Sequence, residues 1–215
     1  MITWLKPIID QDERFQDTET GREYRRIVGG IGWPTATLPG FAVVVGEAKQ
    51  VDGDMGERLI YVLAEIEDEL ANSLLGRCLG LRSIYQVRHW YGDTRDRVRL
   101  ALVNQINQGM DVGNKLVFHA APYSREAKGL VYYHSLIHQA TLAGQKTLYL
   151  GNAPKLIEAL TQADMAAIEG QDHSELPAVA ALGYALSEIK ARQPAAVQAT
   201  VQFPDFSPIR DAWML

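Results

Sequence analysis

Hydrophobic residues along the chain follow two different periods, and the point of change divides it. Tyr24–Gly32 predicts a first strand, carrying Arg25 and Arg26 and ending in Gly29, Gly30 and Gly32. Phe41–Lys49 (FAVVVGEAK) predicts a second, because the run is too short for a core helix and rich in β-branched residues. Asp52-Gly53-Asp54 is a turn signal, and Arg58–Glu67 (RLIYVLAEIE) reads as a third strand, its Leu and Ala content leaving a helix as the alternative. Three runs with short connections predict an antiparallel meander. The period then becomes helical: Leu70, Leu74, Leu75, Cys78, Leu79 and Leu81 share a face between Asp68 and about Gln86.

Strand and helix alternate from there. Val87–Tyr91 predicts a short strand ending at Gly92-Asp93, followed by a helix over Arg95–Gln108 with Val98, Leu102 and Ile106 on one side. Lys115–Ala120 predicts a fifth strand, and helices are expected over Ser124–Ala143, Pro154–Ala163 and Glu175–Arg192. Residues 1–23 read as a polar N-terminal arm and residues 193–215 as a tail without period, which leaves 24–192 as the domain. A meander followed by right-handed β-α-β crossovers gives an α/β fold, with a mixed sheet and helices on both faces. That order is the order of a ribonuclease-H-like fold. Such sheets bind ligands where strand C-terminal ends converge, and Gly32 and Asp93 both stand at predicted ends.

Composition narrows the class. A chain of 215 residues with 47% hydrophobic content suits one domain with a sizeable core. The lone Cys78 excludes an internal disulfide and a cysteine-rich zinc module, and its place on an apolar helix face makes it a core residue. No run reaches the roughly 18 apolar residues that cross a bilayer. Asp10, Asp12, Glu13 and Asp17 fall where a signal peptide would be apolar, so the expected compartment is the cytoplasm. The formal charge of −5 argues against broad wrapping of nucleic acid but leaves room for local basic surfaces. Arg22, Arg25 and Arg26 cluster in one segment, and Arg88, Arg95, Arg97 and Arg99 in another. Guanidinium forks suit phosphates, and the competing reading is salt bridging to Asp93 and Asp96.

Three segments taken together resemble the nuclease domain of phage terminase large subunits: RRIVGGIGWP at Arg25–Pro34, VRHWYGD at Val87–Asp93, and the stretch from Ser124 to Leu186 that ends in DHSELPAVAALGYAL. The resemblance spans roughly Tyr24 to Arg192 and lies in order and spacing. It implies a two-metal DNA endonuclease using Mg²⁺ or Mn²⁺ held by carboxylates from the first strand, the fourth strand and the last helix. It also implies double-stranded DNA as partner, with a terminase ATPase or portal protein beside it. Asp93 matches the second acid; Gly32 and Ala180 stand where the first and third belong. Glu47, Asp172 and Glu175 are the nearby carboxylates that would complete the site, with Arg25, Arg26, Arg88, Arg95 and Arg97 toward DNA. The alternative is a degenerate, non-cleaving domain that binds DNA or packaging partners; a third is an unrelated α/β binding module.

Other features have plainer readings. Asp93 before Thr94 also suits a helix N-cap, and Asp172-His173-Ser174-Glu175 suits the dipole at the head of the last helix, with Pro177 in its first turn. Glu47 also fits a solvated strand end. His134 and His138 share a helix face, but Ser135 stands where a zinc protease has glutamate. Gly29-Gly30-Ile31-Gly32 lacks the Lys-Ser/Thr of a phosphate loop and reads as a strand-end turn; without that loop the chain carries no packaging ATPase.

Overall fold

The computed structural model describes residues 5–7, 14–48, 59–93, 97–121, 148–151, 153–162 and 176–191. The meander is present as β3 (Glu23–Gly32), β4 (Gly40–Ala48) and β5 (Leu59–Asp68), each antiparallel to the next. Every residue of β4 is buried. A central strand covered on both faces reads as a continuous apolar run, which is why FAVVVGEA shows no alternation.

Helix α1 (Ala71–Tyr85) follows, and its Leu74, Leu75 and Cys78 are fully buried. Gln86 closes it in the left-handed region at φ 57°, its N–H returning to the Arg82 carbonyl at 2.8 Å. Burial pushes the Cys78 thiol far above its ordinary range, as suits an inert core group. Strand β6 (His89–Asp93), helix α2 (Arg97–Ile106) and strand β7 (Val117–Ala121) complete this half. Both strands lie about two residues further along the chain than the hydrophobic pattern predicts.

β6 joins the free side of β3 in parallel, pairing Trp90–Gly92 with Gly29–Ile31, and β7 lies parallel beyond it. The order across these five strands is therefore β5-β4-β3-β6-β7, with two antiparallel and then two parallel pairings. Three further strands extend the sheet. The N-terminal stretch expected as an arm contributes β1 (Leu5–Pro7) and β2 (Phe15–Asp17), with β2 pairing the first residues of β3. β8 (Leu148–Tyr149) pairs in parallel with β5.

The helices cover both faces. On one face α1 and α2 enclose Tyr24, Ile27, Ile31, Val44, Leu74, Trp90 and Val103. On the other, α3 (Pro154–Gln162) and α4 (Pro177–Ala191) enclose Val28, Val43, Val45, Leu156, Leu182 and Leu186. Leu182, Leu186 and Ile189 of α4 are each fully buried, worth about 1.5–3 kcal/mol apiece relative to exposure. Among the described residues no helix is long and apolar enough to cross a membrane. The helix expected over Ser124–Ala143, the Asp52–Asp54 turn and the tail lie outside the described residues.

Candidate functional site

The site is set by how α4 lies on β3. Gly30 and Gly32 face it, and a Cβ on either would come within 1.9 Å of a helix carbonyl, Ala181 for Gly30 and Pro177 for Gly32. Gly29 points to the opposite face, where a Cβ would meet the Trp90 ring at 2.2 Å. These glycines are therefore strand residues selected for close approach, and not the strand-end turn the sequence suggested. Ala180, aligned with the third acid of the resemblance, is buried in the same helix–sheet core.

Asp93 is the last residue of β6, one step beyond the Ile31–Gly92 pair and so beside Gly32. It is half-buried. The two strand ends are tied by Trp33, whose Nε1–H donates to the Asp93 carbonyl at 2.9 Å. Trp33 is buried, packs its ring against Phe118 at 5.6 Å, and carries the Arg99 guanidinium 5.6 Å above its face. The sequence reading gave Trp33 no role; its position directly after the glycine run was the available signal.

Other acids occupy the same end of the sheet through β5, and each has structural partners. Glu65 accepts the Lys155 and Leu156 N–H groups at 3.0 and 2.8 Å, satisfying the first turn of α3. Glu67 pairs with the Lys155 ammonium. Asp68 accepts the Ser73 hydroxyl at 2.6 Å and the Leu70 N–H at 3.1 Å, with Arg77 3.6 Å away; the Ser73 bond, ahead of the others, holds its carboxyl below the usual range. Among the described residues no group of three or more His, Cys, Asp or Glu side chains gathers for a metal ion. The described residues at these strand ends thus offer Asp93 and a closed Gly32–Pro177 contact, while Asp172 and Glu175 lie outside the described residues.

Two sequence-based assignments need correction. Glu47 is the strand partner of Arg26, near the opposite end of β4 from Gly32 and its partner Phe41. Six residues of strand separate Phe41 from Glu47, about 20 Å, so Glu47 cannot share an ion with Asp93. It is also buried, at 6% exposure, and so is no solvated strand end. Arg26 does not face a nucleic acid either. It lies under α4, where its guanidinium donates to the Glu188 carbonyl and sits 3.6 Å from the Glu188 carboxylate, with side-chain exposures of 11% and 7%.

The remaining arginines separate in space. Arg25 and Arg88 are exposed near the N-terminal ends of β3 and β6, whereas Arg97 is exposed beyond the C-terminal end of β6. The apparent cluster from Arg88 to Arg99 is split by the length of a strand. Arg82, in the last turn of α1, donates to the Lys115 carbonyl at 3.1 Å. Its pKa is lowered by burial and then by the charge of Arg88. Asp172, Glu175 and Arg95 lie outside the described residues, as do His134 and His138.

Comparisons with protein-family models, with characterised proteins and with solved structures found no match.

Proposed function

We propose that the chain is a ribonuclease-H-like domain, similar to the nuclease half of a phage terminase large subunit, that binds double-stranded DNA without cutting it. The sheet order β5-β4-β3-β6-β7 supports the fold reading, because a meander with two parallel strands added beside its first strand is that fold's arrangement. The observation that carries the loss of cleavage is the Gly32–Pro177 contact: a backbone carbonyl lies where the first acid's side chain would begin. The proposal therefore favours the non-cleaving alternative over a Mg²⁺- or Mn²⁺-dependent endonuclease.

Support for DNA as partner is electrostatic. Arg82 and Arg88 lie within reach of each other's charge, and among the described residues neither has a carboxylate at ion-pair distance. Two guanidiniums in that state favour an anion between or above them, and a phosphodiester backbone supplies a row of them. Arg25 extends the positive surface near the same end of the sheet.

Fluorescence anisotropy with a labelled duplex tests this. Binding is expected to weaken as salt rises, and the Arg25→Gln/Arg88→Gln protein is expected to bind more weakly with a salt slope shallower by about two. Absence of binding at low salt, or an unchanged slope in the variant, would remove DNA from the proposal.

A further inference from the structure

On the face of β6 and β7 that carries Tyr91, two histidines converge. His89 Nδ1 lies 2.8 Å from His119 Nε2, with ring planes tilted by 34°. His89 is diagonal to His119, since Tyr91 is the direct strand partner of His119 and His89 pairs with Val117. The His119 ring is held by stacking on Tyr91, with centroids 4.8 Å apart and planes within 18°. Tyr91 is itself buried, which fixes the platform, while both imidazoles are half-buried and so within reach of solutes.

We propose that His89 Nδ1 and His119 Nε2 form a two-imidazole chelate for a borderline transition ion of the Zn²⁺ or Cu²⁺ class, with water completing the coordination. This goes beyond the DNA-binding reading and does not depend on it. Two nitrogens bound to one ion at about 2.0–2.1 Å stand about 2.9–3.4 Å apart for angles from square-planar to tetrahedral. To admit the ion the pair opens slightly and both rings turn so that their lone pairs converge beside the present N···N line. Imidazole nitrogen selects this class over Mg²⁺, which prefers carboxylate and water oxygens. The ligands sit on adjacent, hydrogen-bonded parallel strands, so the backbone holds their spacing with or without the ion. Binding requires both facing nitrogens unprotonated; the direct imidazole–imidazole hydrogen bond, with one nitrogen protonated, is the arrangement the ion would replace.

The test uses the full chain, stripped of metal with a chelator and titrated calorimetrically near neutral pH with Zn²⁺, Cu²⁺ and Mg²⁺ in turn. The expected result is one Zn²⁺ or Cu²⁺ per chain, no Mg²⁺ at this pair, and loss of the site in His89→Gln and in His119→Gln. Should either variant unfold, histidine side-chain ¹H–¹⁵N spectra of the unaltered protein decide the question: the His89 and His119 ring nitrogens should be the ones that shift among the five histidines. No binding would show a hydrogen-bonded imidazole pair only. Binding that survives both substitutions, or shifts confined to other histidines, would also overturn the assignment.

Discussion

A side chain at residue 32 would have to occupy the space that the Pro177 carbonyl fills. Glycine there is consequently a packing requirement. Gly32→Asp should force α4 away from β3 and bury a carboxylate. Overpacking of this kind costs about 3 kcal/mol or more, which for a chain this size lowers Tm by about 6–12 °C. Calorimetric melting checks it, and a variant melting like the parent would show that the contact is not tight. The sequence alone registers that Gly32 and Ala180 are not acids. It cannot show that the two elements bearing them touch through their backbones, because that depends on packing between segments some 145 residues apart. Asp93 was legible as a strand-end residue because Gly92-Asp93 follows an aromatic run. Glu47 was not placed correctly, since a charged residue near a strand end looks solvated until the covering helix is known.

At the scale of elements, α4 is anchored at both ends. Its first turns lie on the glycines of β3, and near its other end Glu188 meets Arg26 in a site largely closed to water. Removing one member of a buried pair takes a compensating charge from the other, which costs up to about 3–5 kcal/mol, whereas replacing both with apolar residues of similar volume costs much less. Arg26→Met should therefore lower the urea midpoint sharply, and adding Glu188→Leu should recover most of the loss. Equal destabilisation by the single and double changes would place the contribution in packing instead of charge. The three meander strands, α1 and α4 were readable because long periodic or wholly apolar runs carry their own signal. β1 and β2 were not, since three residues give too short a pattern to register a period. The shift of β6 and β7 has a similar origin. Each is a five-residue strand following a partly apolar connection, Gln86–Arg88 or Lys115–Leu116, whose residues resemble strand until the pairing register is known.

At the scale of the molecule, the acids of β5 and Asp93 stand apart from Arg25 and Arg88. Glu65, Glu67, Asp68 and Asp93 lie toward one end of the sheet, where Arg77 and Arg97 also stand, and Arg25 and Arg88 lie toward the other. The acids on β5 satisfy α3, Lys155 and α1, so they are committed to architecture. A duplex binding through Arg25 and Arg88 would thus contact a surface remote from Asp93, consistent with binding uncoupled from cleavage. The most direct test is to incubate supercoiled plasmid with the purified full chain in Mg²⁺ or Mn²⁺, beside Asp93→Asn. The plasmid is expected to stay supercoiled with both proteins while the duplex is still bound. Nicking by the unaltered protein that disappears in Asp93→Asn would contradict it and return the chain to the metal-dependent endonucleases.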